Sequence, residues 1–163
     1  MRRVLATLVI VFTVLIAGTA ALAEKADLLF GRDYFEATER AIQEAKESIY
    51  VAMYIINVKP APTVNPASVL LEDLISAKKR GVYVKVILDD SKFSVNYNAY
   101  KRLRQAGIDV YLDNSRAVLH GKGIVIDYKI CIIGSFNWSR ASLYDNYEFA
   151  VYTESPQQAK ELL

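Results

Sequence analysis

The apolar residues of this chain fall into two rhythms that alternate along it. Residues 49–56 form an unbroken apolar run, long enough only for a buried strand, and 82–88 read as a second buried strand. Shorter runs predict strands over 26–30, 108–112, 118–126, 129–133 and 147–153, with a tight turn at Asp127-Tyr128. Between these, apolar residues recur at helical spacing. Ala37, Ala41, Ile42 and Ala45 predict a helix capped by Asp33. Val69, Leu70, Leu74, Ile75 and Ala77 predict another, opened by Asn65-Pro66 and stopped by Gly81 after Lys78, Lys79 and Arg80. A short helix is expected over 97–105, ending near Gly107, and Ser155-Pro156 opens a last one that runs to Leu163. Residues 59–66 hold three prolines and read as a loop. Strands alternating with helices predict an α/β fold: a mixed, mostly parallel sheet with helices on both faces.

The first 23 residues break this rhythm. Arg2 and Arg3 precede an apolar run over 4–17, small residues follow, and Ala21-Leu22-Ala23 has the form of a cleavage site. That order reads as a secretory signal peptide over 1–23, with 24–163 as a single catalytic domain that continues past Leu163 if the natural chain is longer. The alternative is an uncleaved anchor, because 4–23 is just long enough to span a bilayer. The expected location is therefore periplasmic or secreted, or else the inner membrane by way of residues 4–23. Hydrophobic residues make up 53% of the chain, and this segment holds much of the excess.

Charge changes the picture further. The chain has 20 Lys and Arg against 18 Asp and Glu. Loss of Arg2 and Arg3 with the signal leaves eighteen of each, so no overall basic field remains and any polyanion must be held by a local patch. Cys131 is the single cysteine and lies in the apolar run Ile130-Cys131-Ile132-Ile133, which suits a buried, inert thiol. One histidine and no cysteine pair cannot build a zinc site of the usual kind, so no metal or other cofactor is expected.

Candidate chemistry concentrates between His120 and Glu148. On a strand, His120 and Lys122 project to the same face, with a glycine on each side of Lys122. A cationic pair in a strand otherwise made of Ile124, Val125 and Ile126 suits an anion site. Asn137 and Ser135 offer donors to phosphate oxygens, and Glu148 could accept from an imidazole nitrogen. Singly, each has a plainer reading: Asp127 as a turn residue, Gly134 to Asn137 as a loop, Glu148 as an exposed strand residue.

Together these residues resemble a known family. His120-x-Lys122-x4-Asp127, followed after six residues by Gly134-Ser135-x-Asn137, is similar to the HKD signature of the phospholipase D superfamily. Asn146-Tyr147-Glu148 resembles an element of its small single-motif bacterial endonucleases. The likeness runs over residues 26–153. It implies that His120 attacks phosphorus to give a phosphohistidine. Lys122 and Asn137, with Ser135, would hold the non-bridging oxygens, Glu148 would orient His120, and Asp127 would support the local geometry. The family uses two histidines, one from each motif copy. A single motif therefore implies a homodimer with both His120 side chains at one site.

The expected activity is that of a metal-independent endonuclease on DNA or RNA. Arg116 and Arg140 could track the backbone, and Trp138, with Tyr144 and Tyr128, could stack bases. Core packing is the other reading of these aromatics. Hydrolysis of phospholipid headgroups is the alternative activity, and a non-catalytic polyanion-binding module is the second alternative.

Overall fold

The computed structural model describes residues 26–59 and 65–163. The segment read as a signal or anchor lies outside them, as do the proline-rich residues 60–64. Among the described residues no helix is long and apolar enough to cross a membrane.

Seven strands form one sheet: β1 (Ala26–Phe30), β2 (Ser48–Met53), β3 (Tyr83–Asp89), β4 (Asp109–Asp113), β5 (Lys122–Ile126), β6 (Ile130–Gly134) and β7 (Phe149–Glu154). Their spatial order is β1-β7-β6-β5-β2-β3-β4. The α-helices are α1 (Arg32–Glu44), α2 (Pro66–Lys79), α3 (Phe93–Gln105) and α4 (Pro156–Leu162), and a single π-helical turn spans Ala141–Asp145. The first three α-helices cover one face. There Ile49, Val51 and Met53 of β2, Val84, Val86 and Leu88 of β3, and Ile124 and Ile126 of β5 join Ile42, Leu70, Leu71, Leu74 and Leu103 in the main core. On the other face α4 packs Ala159 against Val125, Cys131 and Tyr50. Cys131 is buried, as its apolar run predicts.

The sheet is mixed and flanked by helices, but it is not mostly parallel. Only β2–β3 and β3–β4 run parallel, whereas β1–β7, β2–β5, β5–β6 and β6–β7 are antiparallel. Helical crossovers join β2 to β3 and β3 to β4, which enforces parallel pairing. The direct turn from β5 to β6 reverses the chain and commits the rest of the sheet to antiparallel pairing.

Element boundaries moved where the deciding contact is distant in sequence. Asp33 lies inside the first turn of α1, and Gly31, at φ 50°, takes the cap position. In α2 the expected cap holds. The Asn65 side chain accepts from the Ser68 amide, and the Asn65 amide donates to Ser68 Oγ, each at 2.9 Å. Helix α3 starts at Phe93 rather than at 97; Asp89, at the end of the preceding strand, accepts from the amide of the cap residue Lys92 (3.1 Å) and fixes the turn that leads into the helix. Strand β5 starts at Lys122 rather than at 118. The Leu119 amide is taken by Asp89 (2.8 Å), and the His120 amide bonds to the Val118 carbonyl (2.8 Å). Strand β7 begins at Phe149, so Glu148 precedes it.

Candidate active site

The strand order brings one end of the sheet into focus. Lys122, the first residue of β5, pairs with Met53, the last of β2, and Gly134 at the end of β6 pairs with Ala150 near the start of β7. The carboxyl ends of the parallel strands β2, β3 and β4 open at this same edge, where α/β sheets place their ligands. Tyr54, Asp89, His120, Lys122, Ser135, Asn137 and Glu148 all leave the sheet there.

His120 is exposed, while the Lys122 side chain is almost entirely covered. The Lys122 ammonium lies 3.0 Å from His120 Nδ1 and 3.2 Å from Nε2, and donates to the His120 carbonyl at 2.5 Å. The Tyr54 ring packs beside the imidazole with centroids 4.5 Å apart, and the Lys122 ammonium sits 4.9 Å from the Tyr54 centroid. Burial pulls the Lys122 ammonium below its ordinary value, and the charge of Glu148 works the other way.

Glu148 is held by three donors. The Ser135 hydroxyl bonds to one oxygen, and the Ser142 hydroxyl (2.7 Å) and the Asn146 amide (3.3 Å) bond to the other. Burial alone would raise this carboxyl. These hydrogen bonds and the Lys122 charge bring it below the ordinary carboxylate value. The expected contact between Glu148 and the His120 ring is not made within this chain; the carboxylate oxygens are taken by Ser135, Ser142 and Asn146.

Asn137 is fixed through its backbone, whose amide donates to Ser142 Oγ at 3.0 Å. Its side-chain Oδ1 is buried with no hydrogen-bond partner. An unpartnered buried amide oxygen costs about 1–3 kcal/mol, and such groups call for a functional explanation. Gly134 has a steric role. A Cβ there would lie 2.4 Å from the Phe149 carbonyl oxygen and 2.5 Å from Ala150 Cβ, so only glycine lets β6 approach β7 closely enough to set Ser135 against Glu148.

Asp127 stands at the opposite end of β5. Its carboxylate accepts from the backbone amides of Lys46 (2.9 Å), Glu47 (2.8 Å) and Ser48 (3.0 Å), which pins the β5–β6 turn to the loop before β2. Asp127 and Tyr128 both have positive φ, 52° and 53°, as a tight reversal requires.

The expected nucleic-acid contacts fare unevenly. Trp138 cannot stack on a base: it is fully buried, and its indole N–H donates to the Tyr34 hydroxyl at 3.1 Å. Tyr128 lies at the far end of β5, hydrogen-bonded to the Tyr50 hydroxyl at 2.8 Å. Tyr144 is half exposed but is packed against Phe35, with Arg32 over its ring. Arg140 lies 3.8 Å from Asp145 in an exposed ion pair, and Arg116 is exposed on the loop leading to His120.

Sequence reasoning missed Tyr54, Asp89 and Ser142. Asp89 carried a usable signal, a carboxylate closing an apolar strand. Tyr54 carried none, since its role depends on a distant chain crossing, whereas Ser142 reaches only to Asn137 and Glu148. Among the described residues no group of three or more His, Cys, Asp or Glu side chains is placed to hold a metal ion.

Residues 39–163 match the family model described as "Cardiolipin synthase, PLD-like domain". The chain is similar to a phospholipase D of Rickettsia typhi, 35% identical over 122 residues, covering 75% of this chain and 55% of that protein. It is also similar to the mitochondrial cardiolipin hydrolase of Mus musculus, 29% identical over 124 residues, covering 76% and 52%. The chain thus spans about half the length of the curated relatives it matches. Among solved structures, the phospholipase D family member Nuc from Salmonella typhimurium superposes with a TM-score of 0.72 at 27% identity, over 85% of this chain and 90% of that one.

Proposed function

This chain belongs to the phospholipase D-like domain family, and we propose that it cleaves phosphodiester bonds of nucleic acid without a metal, by way of a phosphohistidine on His120. The observation that carries this is the solvent-open imidazole of His120 against the covered ammonium of Lys122, 3.0 and 3.2 Å from its two ring nitrogens. A phosphate drawn to Lys122 lies beside the imidazole, and the Asn137 amide completes the set of donors around its non-bridging oxygens, the Ser135 hydroxyl being committed to Glu148.

The reaction runs as two displacements. A His120 nitrogen attacks phosphorus, the bond from phosphorus to the leaving oxygen breaks, and that oxygen takes a proton from a second imidazolium. The second imidazole then removes a proton from water, whose oxygen displaces His120 from phosphorus and restores both rings. The chain has one histidine. The second imidazole is therefore the partner subunit's His120, and the active species is a two-fold dimer.

Lipid is the second reading, favoured by the names of the relatives: phospholipase D and cardiolipin hydrolase. Nucleic acid is preferred on the likeness of the His120 to Glu148 elements to the small single-motif endonucleases, and on the open, cation-bearing edge around His120. Purified protein in EDTA, offered plasmid DNA, RNA, phosphatidylcholine and cardiolipin in parallel, decides between them. Nicking of DNA or RNA that disappears in His120→Ala is the expected result. Lipid cleavage without nicking would overturn the substrate, and activity surviving in His120→Ala would overturn the mechanism.

A further inference from the structure

We propose that Lys92 binds a second phosphate, next to the one His120 attacks, so that the site recognises consecutive phosphates along a nucleic-acid strand rather than one isolated diester. This rests on the nucleic-acid reading above.

Lys92 follows the turn that leaves β3, and its half-buried side chain leans over Tyr54, with the ammonium 5.6 Å from the ring centroid. The Lys122 ammonium is 4.9 Å from the same centroid, and the His120 ring is 4.5 Å away. One tyrosine thus gathers two ammonium groups and the imidazole.

Among the described residues Lys92 stands apart from the ion pairs. Lys122 is answered by Glu148. Elsewhere Arg102 is paired with Glu72, Lys129 with Glu154 and Arg140 with Asp145. Lys92 makes no ion pair among the described residues. The nearby carboxylate of Asp89 is buried and committed to the Ser91 hydroxyl and the amides of Lys92 and Leu119. Lys92 also occupies the cap position of α3, whose first turn holds no acidic residue. A cation is unfavourable against the dipole there. An anion bound between the two ammonium groups would relieve their mutual repulsion and the opposition of Lys92 to the helix dipole.

Asp89 sets the spacing. One of its oxygens holds the Lys92 amide and the other holds the Leu119 amide, one residue before His120. A single buried group therefore fixes the Lys92 turn relative to the nucleophile, which a site spanning two phosphates requires. Asp89 is a positioning residue in this arrangement.

The test measures binding separately from turnover. His120→Ala protein is titrated with a labelled single-stranded oligonucleotide across a salt series. The same is done with Lys92→Ala, Lys92→Arg and Lys79→Ala added to that background, and melting curves establish that each is folded. Lys79 is exposed at the end of α2, away from the site edge. Lys92→Ala is expected to weaken binding about five- to tenfold and to lower the slope of log affinity against log salt by about 0.7, the value for one phosphate on a single strand. Lys92→Arg should restore both, and Lys79→Ala should change neither. Affinity and slope unchanged in Lys92→Ala, or equal losses in Lys79→Ala, would overturn the proposal. So would Lys92-dependent binding to cardiolipin vesicles with none to the oligonucleotide. Cleavage by wild-type protein is scored separately. If no nucleic acid is cut, the nuclease reading falls, and the binding slopes still decide the role of Lys92.

Discussion

Glu148 shows how much a residue's role depends on what its neighbours donate. Two hydroxyls and an amide hold its carboxylate ionised, and its charge acts on Lys122 rather than on the imidazole of its own chain. Lys122 is already pulled down by burial, and Glu148 opposes that pull. Glu148→Gln should therefore lower the Lys122 value further and move the alkaline limb of the pH–rate profile toward neutral, with a drop in kcat/KM of about a hundredfold. An unmoved alkaline limb would show that Glu148 acts elsewhere. Gly134 is governed by space instead of charge. In Gly134→Ala the new methyl collides with the backbone of Phe149 and Ala150, so a stability loss of about 3 kcal/mol is expected in urea titrations.

At the scale of elements, side chains from one segment terminate or anchor another. Asp127 ends β5 in a left-handed conformation that costs roughly 1–2 kcal/mol. It offsets that cost by accepting three amide bonds from the loop between α1 and β2. Asp127→Ala leaves those amides without a side-chain acceptor. It should cost about 2–3 kcal/mol by urea denaturation, and hydrogen exchange of the Lys46, Glu47 and Ser48 amides should accelerate. Trp138 likewise belongs to the packing of elements. It bridges in parallel to Ile56 beyond the end of β2 and bonds to Tyr34 of α1, whose ring stacks on Phe136 at 4.0 Å. That cluster supports the segment carrying Ser135 and Asn137.

The whole molecule titrates through a few carboxylates. Asp89, Asp127 and Glu148 all lie below their ordinary values of 3.8, 3.8 and 4.5: burial would raise each, and hydrogen bonds outweigh it. Their contribution to stability is complete above those ordinary values. It is lost as pH falls, because the unfolded chain takes up protons before the folded one does. Glu39 and Asp73, raised chiefly by burial, pull the other way and soften the slope. Unfolding free energy should be flat near neutrality and fall below about pH 4.5; a flat profile down to pH 3 would contradict the network. Assembly makes a second prediction at this scale. If each site needs two His120 rings, an equal mixture of wild-type and His120→Ala chains, allowed to exchange subunits, should retain about a quarter of the activity rather than half. Retention of half would mean that each chain works alone.

The apolar runs determined most of the strands and helices, because burying one face or stripe of an element leaves a periodic trace in its own sequence. The local spacing from His120 to Glu148 likewise exposed the chemical set, since those groups come from three consecutive segments of one sheet edge. Other features were left to the tertiary structure. Asp89 reaches thirty residues ahead to Leu119, and Asp127 reaches about eighty back to Lys46, Glu47 and Ser48. Those bonds decide where β5 starts and which end of the sheet each carboxylate serves. The burial of Trp138 and the gathering of Lys92, Lys122 and His120 around Tyr54 depend on similarly long-range crossings. Sequence periodicity records which residues are buried, but a hydrogen-bonding group selects its partner only after the chain has brought candidates together.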